Sequence, residues 1–180
     1  TILKVLEDGG AAVLMSHLGR PKGVEAKFSL GHIVEKVTEV LGVQAKFVDA
    51  CVGGKAAAAV AALKPGEVLV LENLRFHKEE TAGDLAFSEQ LSKLGDVYVN
   101  DAFGTAHRAH ASTTVVAQFF QEKAAGFVME AELVNADKVL KSAAKPFTSI
   151  MGGAKVSDKL LIIEKLLDVA DNIIIGGGMS

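Results

Sequence analysis

Three short apolar runs, each emptying into a loop that holds histidine and arginine, constrain this chain more than any other feature. Ala11-Ala-Val-Leu-Met15 leads into Ser16-His-Leu-Gly-Arg-Pro-Lys22. Val68-Leu-Val-Leu71 leads into Glu72-Asn-Leu-Arg-Phe-His-Lys78, and Val97-Tyr-Val99 into Asn100-Asp-Ala-Phe-Gly-Thr-Ala-His-Arg-Ala-His110. Runs of this length and β-branched character read as buried strands, and α/β proteins present their sites just beyond the carboxyl ends of such strands. If the three strands are parallel neighbours, Arg20, Arg75 and Arg108 converge with His17, His77, His107 and His110 on one edge. That arrangement predicts a pocket for a small polyanion, since guanidinium forks suit carboxylate and phosphate.

Helical and strand signals alternate along the chain. Residues 1–8 read as a helix closed by Asp8-Gly9-Gly10, and 12–16 as a strand. Ser29 is a candidate N-cap for a helix with Leu30, Ile33, Val34, Val37, Val40 and Leu41 on one stripe, stopped by Gly42. A strand at 44–48, a helix at 54–63, a strand at 67–71, a helix near 84–94 and a strand at 96–100 follow. Residues 113–120 fit strand or helix. A long helix spans about 127–141, and after the break at Ala143-Ala-Lys-Pro146 the pattern restarts as strand 147–151, helix 156–170 and strand 172–175. This order predicts an α/β fold: a three-layer αβα arrangement around a Rossmann-like parallel sheet.

Composition excludes several classes. The formal net charge is −3 over 180 residues, which argues against a general nucleic-acid binder. No apolar run approaches the roughly 18 residues of a membrane span, and no signal-peptide pattern opens the chain. Cys51 is the only cysteine, which excludes an internal disulfide and a Cys-rich zinc site and favours a reducing compartment. His107 and His110 have a spacing that could place two imidazoles on one helix face, but no acidic or sulfur ligand accompanies them. Asp101 reads as a loop hydrogen-bonding residue or an arginine partner.

A second feature is Ile150-Met-Gly-Gly-Ala-Lys-Val-Ser-Asp-Lys-Leu160. Here a strand runs into Gly152 and Gly153, then Lys155, then a helix on which Lys159 would share a face with Lys155. Glycines admit close approach of a phosphate, and a helix N-terminus with a lysine adds positive charge. The spacing matches neither the Walker A loop nor G-x-G-x-x-G. Gly176-Gly-Gly178, after the last strand, is another place where backbone could approach a flat ligand.

At these residues the chain resembles the phosphoglycerate kinases. Ser16–Pro21, Leu71–His77, Val97–His110, Gly152–Lys159 and Ile174–Met179 stand in that family's order and spacing. The resemblance implies phosphoryl transfer between 1,3-bisphosphoglycerate and ADP, giving 3-phosphoglycerate and ATP, with Mg²⁺ accompanying the nucleotide. It implies two Rossmann-like domains closing by a hinge: a triose-phosphate domain over 1–126, an interdomain helix and linker over 127–145, and the start of a nucleotide domain over 146–180. By position, His17, Leu18, Gly19, Arg20, Arg75 and Arg108 resemble the triose-phosphate site. Gly152, Gly153, Lys155, Lys159, Gly177 and Gly178 resemble the nucleotide site. Lys155, Arg20 and Arg108 carry the implied catalytic role. The expected location is the cytoplasm, and the expected whole protein is a monomer with no nucleic-acid or membrane partner.

Both ends read as cut within a longer protein. The family's first strand would precede Thr1, and its metal-binding acid would follow Ser180. The 180 residues alone are therefore expected to be inactive as a kinase, and marginally stable or self-associating. A non-catalytic anion-binding or assembly module on the same fold is the alternative, and a nicotinamide-dependent dehydrogenase is disfavoured by the missing G-x-G-x-x-G.

Overall fold

A computed structural model describes residues 1–141, 143–153 and 157–179. They divide into two compact units, Thr1–Met129 and Glu130–Ser180.

The first unit is built around β3 (Val68–Leu71), whose four residues are all apolar and all buried. A strand buried on both faces needs no polar alternation, because helices cover each side. It pairs in parallel with β1 (Ala12–Leu14) on one side and β2 (Ala45–Val48) on the other. Leu69 and Leu71 point into one core with Ala56 of α3 (Gly53–Ala61) and with Phe87 and Leu91 of α5 (Leu85–Ser92). Val68 and Val70 point into the other, against Ile2, Val5 and Leu6 of α1 (Ile2–Glu7) and Val34, Val37 and Leu41 of α2 (Val34–Leu41). The helix–sheet–helix layering follows directly from that alternation.

Local signals explain the boundaries. The Ser29 hydroxyl accepts the Gly31 N–H as expected, but the first turn it caps is a 3₁₀ turn over Leu30–Ile33, with α2 following. Gly42 ends α2 in the left-handed region. Asp84 caps α5 through the Phe87 N–H at 2.7 Å.

The sequence expectations need correction in three places. The strand β4 (Tyr98–Asn100) is not hydrogen-bonded to β1 or β3 among the described residues; it forms a separate parallel pair with β5 (Lys123–Ala125), which the sequence reading missed. Residues 113–120 are neither strand nor α-helix but consecutive wide and tight turns, Ala111–Val115 and Val116–Phe119. The short helix α4 (Lys78–Ala82) was also missed, since one polar turn carries no apolar period.

Beyond β5 the chain enters α6 (Phe127–Lys141). Asp101 accepts the N–H groups of Val128 and Met129 at 2.8 and 3.1 Å, capping this helix. Burial works against its charged form, but hydrogen bonds from Thr1, Met129 and Val128 outweigh it and hold the carboxyl below the ordinary range.

In the second unit β6 (Thr148–Gly152) and β7 (Asn172–Gly176) pair in parallel, linked through α7 (Leu160–Leu167). This is a βαβ crossover. The Asp171 carboxylate braces it by accepting the Phe147 N–H at 2.6 Å and Lys145 Nζ at 3.1 Å.

Candidate functional site

The three basic loops of the first unit surround one cavity of about 660 Å³. Arg20, Arg75 and Arg108 all line it, with Lys22, Lys78, His77 and His110 beside them and Glu79 as the acidic member of the wall. Loops after β1, β3 and β4 thus converge although β4 belongs to a different ladder. The convergence is made by packing beyond the strands, not by one continuous sheet edge.

Buried polar residues at the end of β3 hold these loops in register. Asn73 is 0 % exposed. Its Nδ2 donates to the carbonyls of Leu18 and Phe28 at 2.8 and 2.9 Å, and its Oδ1 accepts the Arg75 N–H at 3.0 Å. One amide side chain therefore ties the Arg20 loop to the Arg75 loop. Glu72 works beside it, accepting Ser29 Oγ at 2.7 Å and the Leu30 N–H at 2.8 Å. The Arg75 Nη1 reaches across to the Gly19 carbonyl at 2.8 Å. Gly19 has φ +66°, and a Cβ there would overlap the Phe28 ring, so the turn that carries Arg20 requires glycine.

The electrostatics favour an anion. Burial and the neighbouring Arg108 charge pull the Arg75 guanidinium below its ordinary range; Glu80 opposes this, and Arg20 adds to it. Arg75 Nε is buried without a hydrogen-bond partner among the described residues. His17 is held below its usual imidazole range by burial first and then by Arg75, His110 and Arg108. Cations packed this closely repel one another, and a bound polyanion would relieve that repulsion.

Not every expected residue lines the cavity. His17, Leu18 and Gly19 lie in the adjoining turn, contributing the His17 ring close to the arginines and two backbone carbonyls that fix the loop. His107 and His110 do not share a helix face. A 3₁₀ turn covers Phe103–Thr105, His110 is extended, and the His107 ring lies 3.4 Å from Arg108 Nε.

In the second unit the glycine turns come together. Gly152 stands opposite Gly176 in the β6–β7 register, and Gly153 lies beside Gly177 where the chain enters the turn Gly177–Met179 that contains Gly178. Lys159 ends a 3₁₀ turn and precedes α7, so it sits at that helix's N-cap and not one turn inside it. Lys155 lies outside the described residues.

Sequence reasoning overlooked Asn73, Glu72, Glu80 and Ser112, the residues that hold the cationic loops. A usable signal existed for Glu72 and Asn73: two polar residues directly follow an apolar run with no turn residue between.

Comparison with known proteins gives one answer. The family model for phosphoglycerate kinase matches residues 1–180. The phosphoglycerate kinase of Moorella thermoacetica is 52% identical over 181 residues, covering 100% of this chain and 46% of that protein. The chloroplastic phosphoglycerate kinase of Volvox carteri is 52% identical, with 98% of this chain and 39% of that protein covered. Among solved structures, phosphoglycerate kinase from Coxiella burnetii superposes with a TM-score of 0.84 at 33% identity, over 98% of this chain and 44% of its own. The Pyrococcus horikoshii enzyme gives 0.85 at 32% identity, over 98% and 45%. The chain thus spans under half the length of these relatives. By sequence match along its whole length and by fold, it belongs to the phosphoglycerate kinase family.

Proposed function

We propose that this chain serves phosphoryl transfer between 1,3-bisphosphoglycerate and ADP, yielding 3-phosphoglycerate and ATP. The observation that carries the proposal is the closure of Arg20, Arg75 and Arg108 around a single cavity. A triose carrying a carboxylate and a phosphate offers two planar or fork-accepting anions, which match guanidinium forks better than point charges. In this reading residues 1–126 form the triose-phosphate domain, with His17, Leu18 and Gly19 completing the site around the three arginines. Residues 127–145 form the interdomain helix and linker. Residues 146–180 begin the nucleotide domain, where Gly152, Gly153, Gly177 and Gly178 let ADP or ATP approach the backbone.

Phosphoryl transfer through a loose transition state asks the protein mainly to position groups and neutralise charge. Arg20 and Arg108 are assigned charge neutralisation near the triose, Lys155 stabilisation of the phosphoryl group as it transfers, and Lys159 the nucleotide phosphates. Magnesium belongs to the nucleotide in this scheme. Among the described residues no three His, Cys, Asp or Glu side chains gather into a metal site, so no step is assigned to the metal here. We further propose that the whole protein is a cytoplasmic monomer, which fractionation and sedimentation would test.

The test is calorimetric titration of 3-phosphoglycerate into the 180-residue chain at low ionic strength. Arg75→Met and Arg108→Met should each weaken binding by about tenfold or more, the cost of one charge-assisted pair. Unchanged affinity in both variants would remove the triose reading.

A further inference from the structure

Glu80 is 2% exposed, on a helix of one and a half turns whose neighbours Glu79 and Thr81 face the cavity. Burying a carboxylate there is costly unless it is paired and hydrogen-bonded. Its partners all lie on one segment. Oε1 accepts the Ser112 hydroxyl at 2.6 Å, Oε2 accepts the Ser112 N–H at 3.1 Å, and His110 Nδ1 lies 4.0 Å from Oε1.

We propose that Glu80 is a positioning residue of the anion cavity: by gripping the Ser112 turn it holds Arg108 and His110 in register with Arg75. The proposal rests on the reading of this cavity as the triose-phosphate site. The contacts continue from the grip to the cation. Ser112 belongs to the wide turn Ala111–Val115, and the next two residues return to the arginine, with Thr113 Oγ1 and Thr114 Oγ1 donating to the Arg108 carbonyl at 2.8 and 3.0 Å. Arg108 N–H donates to Thr105 O at 3.0 Å, closing the loop on its other side. The far face of the turn is fixed by Tyr98, whose hydroxyl donates to the Ser112 carbonyl at 2.8 Å. Glu80 thus anchors the Arg108 loop to α4, which follows directly from the Arg75 loop. Asn73 performs the matching task between the Arg75 and Arg20 loops.

Two other roles for Glu80 make opposite predictions. A mere countercharge to the arginines would, when removed, tighten anion binding. A residue that only satisfies the core would lower stability and leave the affinity of the folded protein unchanged. Positioning predicts weaker binding that depends on Arg108.

The experiment compares Glu80→Gln, Arg108→Met and the double variant in the 180-residue chain. Titration with 3-phosphoglycerate is combined with amide hydrogen exchange at Ser112 and Arg108. Glu80→Gln removes the charge and forces the Ser112 hydroxyl to turn and accept from the new amide, so neutral contacts replace a charge-assisted pair. It should weaken binding about tenfold, on the scale of a lost charge-assisted hydrogen bond. In the Arg108→Met background its further effect should fall below about twofold, because coupled residues do not act additively. Equal or tighter binding in Glu80→Gln, or full multiplication of the two effects, would overturn the proposal. If Glu80→Gln does not fold, Ser112→Ala carries the test, with Ser112→Thr restoring the hydroxyl and the affinity; equal binding by both overturns it. If Arg75→Met and Arg108→Met leave triose binding unchanged, the functional reading fails on its own. Exchange without ligand then decides: faster exchange at both amides in Glu80→Gln supports the positioning role, and unchanged exchange overturns it.

Discussion

Replacing Asn73 by alanine removes a buried side chain that joins the Arg20 and Arg75 loops through three hydrogen bonds. Three groups lose a partner: the Arg75 N–H and the carbonyls of Leu18 and Phe28. The N–H sits in a part-buried turn, where an unmade hydrogen bond costs about 1–3 kcal/mol. The two carbonyls belong to loops that can swing outward and recover water, so each contributes at the low end of that range. The sum is about 3–4 kcal/mol, a large part of the roughly 5–15 kcal/mol that holds a domain together. Tyr98 makes a clean probe. It is the only tyrosine in a chain without tryptophan, and it is 7% exposed within the first unit. Urea unfolding followed by tyrosine fluorescence should therefore report that unit alone, with the midpoint falling and the slope unchanged. Asn73→Asp should be worse at pH 7 than alanine, since a carboxylate would face two carbonyl oxygens. Relative to the parent protein it should recover towards pH 4, where the buried acid regains a proton to donate. A loss below about 1 kcal/mol in Asn73→Ala, with 3-phosphoglycerate affinity unchanged, would refute the claim that this amide holds the loops.

Four further outcomes are expected. Gly126→Ala should destabilise the first unit by about 2 kcal/mol or more, because the new Cβ would overlap the Asp101 carboxyl that caps α6; unfolding midpoints measure it. Gly54→Ala, in the first turn of α3 with open space at the Cβ position, should instead stabilise by about 0.5 kcal/mol. The His17 imidazole should titrate below 6.5 in the empty chain by NMR, and its midpoint should rise when 3-phosphoglycerate binds. Its folded pKa is depressed, so its contribution to stability is present above about 6.5 and is lost as pH falls below that value; His17→Gln should flatten the loss. Cys51 is 1% exposed, and its thiol is pushed up to about 12 by burial, then by Glu72 and Glu80. It should resist aromatic disulfide reagents at pH 8 until the unit unfolds, and stoichiometric labelling of the native chain within minutes would contradict this.

Much of the architecture was legible in the chain itself. The uninterrupted Val68-Leu-Val-Leu71 required a strand covered on both faces, and the helical stripes on either side of it supplied the cover. The repeated placement of Arg20, Arg75 and Arg108 past the ends of apolar runs pointed to the basic cavity, although the expected single sheet edge does not exist: β4 lies in a separate ladder, and packing of the loops beyond the strands brings the third arginine in. What the pattern could not reveal was how the loops are held. Asn73 meets Leu18 and Glu80 meets Ser112 across separations of 55 and 32 residues, and neither pairing leaves a local period to read. The pairing of β4 with the exposed Lys123–Ala125 segment was equally silent, since three small or charged residues carry no strand signature. Periodicity records which face of an element is apolar, and so it determined the layers and the strand ends from which the basic loops leave. Long-range hydrogen bonds between buried polar groups depend on the folded backbone bringing donor to acceptor, so the register of those cations was decided by tertiary structure.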